Sequence, residues 1–151
     1  MHRAESIDYE YTTFGKLAKA LSRALIVSVT SIPVYADPLA NELPQGAEIQ
    51  SGDIEIENFA AEMNINQNTN QGIIDWQTFN VGENATVNFN QPSESSSTLN
   101  RVVTDNASQI YGNINSNGQV LLVNSSGVYI SQNARIETGG CLLYTSPSPR
   151  D

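Results

Sequence analysis

Twelve carboxylates and two arginines carry the charge between residues 37 and 140, a balance of −10. That stretch has no histidine, lysine or cysteine, so Ser-His, Cys-His and Ser-Lys nucleophile pairs cannot be assembled within it. Carboxylates alone leave two chemistries open: acid/base work on glycosides, and calcium binding. Two places have the residues for them. Asp53, Glu55 and Glu57 alternate with Ile54 and Ile56, which gathers three acids on one side of a strand. Asp75 stands beside Trp76, a pairing of the kind found in sugar sites. The simpler reading of the first is a solvated strand face, and of the second a cap or core aromatic. No catalytic residue, cofactor or metal site is assigned.

The whole chain has 151 residues, 16 acidic against 7 basic, and a net charge of −9. A polyanion binder needs a basic face, so nucleic acid is excluded as a partner. A single cysteine, Cys141, cannot close an intramolecular disulfide. The lone histidine is His2. The length suits one domain with a modest core.

Three zones differ in composition. Residues 1–36 read as a secretion signal: Lys16, Lys19 and Arg23, then the uncharged run from Ala24 to Ile32, then Pro33 and Val34-Tyr35-Ala36. The apolar run is too short to span a bilayer, so no integral membrane span is expected. Cleavage is expected after Ala36, with Ala40 as the alternative. Residues 37–140 form the exported segment, with 17 asparagines. Residues 141–151 match neither zone. They resemble the translation of a sequencing adapter, which would place the natural C-terminus beyond this chain.

The elements that would position any site are short strands. Ile54 and Ile56 alternate with acids, and Thr86-Val87-Asn88-Phe89-Asn90 alternates as well. Gln119-Val120-Leu121-Leu122-Val123 is a near-continuous apolar run, as in a strand buried on both faces or turning a corner. Strands are also expected at 127–131 and 134–137. Asn117-Gly118, Ser126-Gly127 and Gly139-Gly140 mark turns. Short strands, tight turns and asparagines at strand ends, where stacked coils form amide ladders, favour a parallel β-helix. On periodicity alone a sandwich or jelly roll stays open. Three Asn-X-Ser/Thr sequons, at Asn84, Asn106 and Asn124, are about what this asparagine content gives by chance.

A run of motifs resembles a known family. Gly72-Ile73-Ile74-Asp75-Trp76-Gln77-Thr78-Phe79-Asn80-Val81-Gly82 is followed by Val87-Asn88-Phe89-Asn90-Gln91-Pro92 and Leu99-Asn100-Arg101-Val102. Then come Ser108-Gln109-Ile110-Tyr111-Gly112, Ser116-Asn117-Gly118-Gln119-Val120-Leu121-Leu122-Val123-Asn124, and Gly127. These resemble the N-terminal secretion domain of two-partner-secreted exoproteins of the filamentous-haemagglutinin and high-molecular-weight-adhesin type. Where that family commonly has Asn-Pro-Asn-Gly, this chain has Asn124-Ser125-Ser126-Gly127. Its Asn-Pro-Asn-Leu motif has no counterpart here.

The resemblance implies an all-β fold: a right-handed parallel β-helix with N-terminal cap strands and short extra-helical hairpins. It implies a non-enzymatic domain that directs secretion and nucleates the β-helix of a large exoprotein. The implied partner is a cognate outer-membrane β-barrel transporter, met through its periplasmic domains on the way to the surface of a Gram-negative cell. Contact with a host cell would fall to the downstream region. Asn100, Arg101, Asn117, Gly118, Asn124, Ser125, Ser126 and Gly127 are the implied recognition and turn residues. Trp76, Phe79 and Gly112 are the structural ones. Arg101 is also expected to pair with an acid and to fix a turn at 99–102. The rival readings are an adhesin segment that itself binds glycan or protein, and a carboxylate-based polysaccharide enzyme.

Overall fold

The computed structural model describes residues 37–145. The expected signal segment lies outside the described residues, as do the last six residues of the expected adapter tail.

Twelve strands and no helix make up the described chain. Its core unit is a coil that visits three faces in turn. The first coil runs through β3 (Glu62–Gln67) and β4 (Gln71–Trp76), with Val81 bridging onto the third face. The second coil is β5 (Thr86–Asn90), β6 (Ser97–Val102) and β7 (Ser108–Ile110). The third is β8 (Asn113–Ser116), β9 (Gln119–Asn124) and β10 (Val128–Ile130). A fourth begins with β11 (Arg135–Glu137) and β12 (Gly140–Tyr144). Each strand pairs in parallel with the strand one coil away, giving β3-β5-β8-β11, β4-β6-β9-β12 and β7-β10. The fold is a parallel β-solenoid of about four coils.

The start of the solenoid is closed by chain running the other way. β1 (Glu48–Ser51) lies antiparallel to β4, and β2 (Ile54–Phe59) lies antiparallel to β3. Gln45 bridges antiparallel to Thr78 on the third face. The backbone amides of Gly82 and Asn84 donate to the carbonyls of Glu42 and Ala40. The cap thus covers one end of all three faces before the chain turns at Ala60 into β3. Ala60 takes the left-handed conformation (φ 49°) to make that turn. The β2–β3 hairpin belongs to the cap; it does not project from the coils.

Strand alternation decides what fills the interior. Met63, Ile65, Ile74, Trp76, Phe79, Val81, Val87, Phe89, Ile110, Ile114, Val120 and Leu122 point inward and are buried. Trp76 and Phe79 meet edge to face, ring centroids 5.5 Å apart. Fully burying each such side chain is worth about 1.5–3 kcal/mol, so this column is the main source of stability.

Polar residues also point inward, and their side chains satisfy one another across coils. The Thr98 hydroxyl donates to Gln67 Oε1 at 2.7 Å and accepts from Gln91 Nε2 at 2.7 Å. Gln91 Oε1 in turn accepts from the Ser116 hydroxyl at 2.9 Å. Residues from β3, β6 and β8 and the β5–β6 turn therefore form one buried polar column at a corner of the solenoid.

Three sequence expectations need correcting. Residues 99–102 are not a turn but lie within β6. β9 is not buried on both faces: Val120, Leu122 and Asn124 point in, while Leu121 and Val123 are half-buried on the outside. The amide ladders on the outer face are not confined to strand ends: Asn90 closes β5, but Asn64, Asn88 and Asn115 lie in mid-strand. Asn115 Nδ2 donates to Asn88 Oδ1 at 2.9 Å, and Asn88 Nδ2 donates to Asn64 Oδ1 at 2.9 Å. Beside them Asn90 Nδ2 donates to Asn66 Oδ1 at 2.8 Å. Asparagine suits this place because each amide donates to the coil below and accepts from the coil above.

Candidate functional site

The eight residues singled out for recognition and turns gather around one sheet, in the second and third coils. β9 lies between two of their turns. Asn117-Gly118 is the corner where β8 passes into β9. Asn124-Ser125-Ser126-Gly127 is the corner where β9 passes into β10. Asn100 and Arg101 lie one coil below, as register partners of Leu122 and Val123.

At the first corner the Asn117 side chain imitates a strand neighbour. Its Oδ1 accepts from the Gln91 backbone N–H at 2.8 Å, and its Nδ2 donates to the Gln91 carbonyl at 2.6 Å. Gly118 allows the close approach this needs. A Cβ there would sit 2.2 Å from Gln91 Oε1 and 2.8 Å from the Ser93 and Ser96 carbonyl oxygens.

At the second corner Asn124 is fully buried. Its Oδ1 accepts from Ser126 N–H at 2.8 Å, while its Nδ2 donates to Asn106 O and Ser108 Oγ, both at 2.9 Å. The turn closes with Gly127 N–H donating to Asn124 O at 3.2 Å. Gly127 has φ +104° and open space around it, so its backbone conformation is what requires glycine. Burial separates the three sequons: Asn84 and Asn106 are exposed, whereas Asn124 is not.

Asn100 is not a turn residue. It points into the core, where its Oδ1 accepts the Trp76 indole N–H at 3.0 Å. Its Nδ2 donates to the Leu121 carbonyl at 3.3 Å, tying β6 to β9. Trp76 and Phe79 are core aromatics, each 1% exposed. Gly112 lies where a Cβ would be 2.2 Å from Gly82 O and 2.3 Å from Ala85 O, so the second and third coils touch through it.

Arg101 faces outward and takes both oxygens of Asp75 one coil below, Nε to Oδ1 at 2.6 Å and Nη2 to Oδ2 at 2.9 Å. Its side chain is 44% exposed and that of Asp75 is 15% exposed. Asp75 is thereby turned away from Trp76, and the two do not form a sugar-binding pair. Next to this ion pair an aliphatic column climbs the outside of the sheet through Ile73, Leu99, Leu121 and Leu142. The sequence reading missed this column. The signal for it was Leu99 between polar Thr98 and Asn100, an alternation that runs opposite to the usual inward-apolar rule.

The acids at 53–57 are exposed and partly engaged. Asp53 Oδ2 accepts from Asn68 Nδ2 and Glu57 Oε2 from Asn66 Nδ2. Among the described residues no group of three acidic, histidine or cysteine side chains is arranged to hold a metal ion. The outer amide face borders an open groove of about 580 Å³ lined by Asn64, Asn88, Asn90, Asn115, Asn117 and Glu137. Near the start of the described chain, Asp37 Oδ1 accepts the Tyr111 hydroxyl at 2.6 Å. This bond pushes the Tyr111 phenol up to about 12. No helix among the described residues is long and apolar enough to cross a membrane.

Comparison with known proteins adds three findings. The family model described as TPS secretion domain matches residues 40–149. The chain is 40% identical over 126 residues, 83% of its length, to a heme/hemopexin-binding protein of Haemophilus influenzae strain Rd. It is 37% identical over 127 residues to a second Haemophilus influenzae protein of the same description. It spans only 14% of the length of these curated relatives. Among solved structures it resembles the HMW1 secretion domain from Haemophilus influenzae, with a TM-score of 0.64 and 33% identity. That match covers 66% of this chain and 27% of the other.

Proposed function

Since the chain belongs to the TPS secretion domain family, we propose that it is the secretion-directing head of a much larger exoprotein. In this reading residues 1–36 carry the chain across the inner membrane of a Gram-negative cell. Residues 37–140 are then recognised by the periplasmic domains of a cognate outer-membrane β-barrel transporter, and the folded coils start a longer β-helix at the cell surface.

The capped solenoid is the observation that carries this reading. Antiparallel strands close one end of all three faces, whereas the strands of the last coils present parallel edges on which further coils can stack. Composition agrees. An acidic segment suits a basic transporter groove and keeps the unfolded chain soluble. A segment without cysteine up to residue 140 avoids disulfides that would jam a narrow pore. The test is export from cells that also make the transporter: residues 37–140 behind their signal should reach the medium intact. Export that survives deletion of 99–127 would sink the proposal.

A second reading, that the segment itself binds a glycan or protein, draws on the amide-rich groove beside Asn88 and Asn115. Specific binding by the purified segment on a glycan array would support it. The relatives' names speak of heme and hemopexin. The described residues hold no histidine, their one cysteine is exposed, and Met63 is sealed in the core. Any heme ligation by the described residues would therefore fall to an exposed tyrosine such as Tyr129 or to Cys141.

A further inference from the structure

Asn117 is the one asparagine in the 151 residues that is followed by glycine. The fold demands both members of the pair. Position 117 needs a side chain that accepts from the Gln91 N–H and donates to the Gln91 carbonyl, which an amide does and a carboxylate does not. Position 118 has no room for a Cβ, because the Ser93 and Ser96 carbonyl oxygens would lie 2.8 Å from it. Those two needs together produce the dipeptide whose backbone nitrogen is least hindered from attacking the preceding side-chain amide.

We infer that Asn117 is a fold-protected deamidation site: reactive while the chain is unfolded and closed once the third coil has stacked. In the unfolded chain the Gly118 nitrogen bonds to Cγ of Asn117 and loses its proton, and the side-chain nitrogen departs as ammonia. Water then opens the resulting succinimide to aspartate or isoaspartate. The net change consumes one water and releases one ammonia, with no oxidation.

Two features of the folded corner oppose the first step. Both polar atoms of the Asn117 amide are held on Gln91. The Gly118 N–H is itself occupied, donating to Ser116 Oγ at 3.1 Å. The product, in turn, opposes folding. An aspartate at 117 sets a carboxylate oxygen against the Gln91 carbonyl, where the amide nitrogen had donated at 2.6 Å. Isoaspartate also lengthens the backbone at a two-residue corner of the coil. The site therefore acts as a timer on the unfolded state: a chain that waits too long loses the contact that seats its third coil on its second. This inference needs only an unfolded interval, and it does not rest on which transporter, if any, recognises the segment.

The test incubates the full chain at mildly alkaline pH, once folded and once in concentrated urea. Modification at 117 is followed by peptide mass spectrometry and by isoaspartate methyltransferase labelling. The expected result is at least about a tenfold faster reaction in urea, since protection follows the population of the open state. Equal rates in the two samples overturn the protection, and an unmodified Asn117 in urea overturns the reactivity. Asn117→Asp mimics the product directly, with Asn133→Asp on an exposed turn as the control. A lower urea midpoint, or failure to fold, for the first alone supports the timer. Equal midpoints for the two variants overturn it.

Discussion

The indole N–H of Trp76 donates to Oδ1 of Asn100 across the interior of the solenoid, 3.0 Å away, with both side chains shut off from solvent. This bond joins the first coil to the second, and Asn100 extends it to the third through the Leu121 carbonyl. Replacing Asn100 by leucine leaves the buried Trp76 indole N–H without its partner. Such a group costs about 1–3 kcal/mol, so Asn100→Leu is expected to lower the urea midpoint despite its greater hydrophobicity. A midpoint at or above the parent value would contradict this.

Gly112 and Gly127 test two different reasons for glycine. Gly112→Ala drives a methyl into two backbone carbonyls, whose positions the neighbouring coils fix. Gly127→Ala meets nothing within 4 Å but must hold φ +104°. Such backbone strain costs about 1–3 kcal/mol. The clash at Gly112 adds displacement of a whole coil, so Gly112→Ala should be the more destabilising in urea unfolding. The reverse ranking would show that the coils separate there more easily than the structure implies.

The Asp75–Arg101 pair separates stability from recognition. Arg101 is nearly half exposed, and exposed pairs contribute about 0–1 kcal/mol. Exchanging the two residues, Asp75→Arg with Arg101→Asp, keeps the pair and should leave the urea midpoint almost unchanged. If Arg101 contacts the transporter, export of this double variant falls while its fold persists. Unchanged export would restrict the pair to a structural part.

Tyr111 provides a pH signature for the cap. Its hydroxyl donates to the Asp37 carboxylate, and this raises its pKa from 10.0 to about 12. The folded state therefore holds the phenol proton longer than the unfolded state. The associated stability is complete below pH 10.0 and is lost as pH rises toward about 12. Ultraviolet titration should show one late phenolate, and Asp37→Asn should move it to lower pH. A late phenolate that persists in Asp37→Asn would point to another cause.

Part of this architecture could be read directly from the chain. Thr86-Val87-Asn88-Phe89-Asn90 became β5 residue for residue, because its inward side chains are apolar and its outward ones are polar. Asn117-Gly118 announced its corner by turn chemistry. β6 was illegible for a physical reason. Its inward residues are Thr98, Asn100 and Val102, and its Leu99 points outward, so the usual alternation is inverted over most of its length. Whether an inward asparagine is tolerated depends on Trp76, a partner one coil earlier. Coil length hid the repeat as well. The register partners Glu62, Thr86, Asn113 and Arg135 lie 24, 27 and 22 residues apart, so no fixed period marks the coils. The residues expected to serve recognition were legible in part as corners of the coil, but Asn100 and Arg101 were not separable until their facing directions were known.

The buried column of Gln67, Thr98, Gln91 and Ser116 has a consequence for uniqueness. Strands this short and this similar can slide two residues past a neighbour and still present oily side chains inward. Hydrophobic burial is nearly indifferent to such a slip. The polar column is not, because each slip strands hydroxyls and amides away from their mates at about 1–3 kcal/mol apiece. Among many near-equivalent stackings, the interior's wettest residues are the ones that select a single alignment.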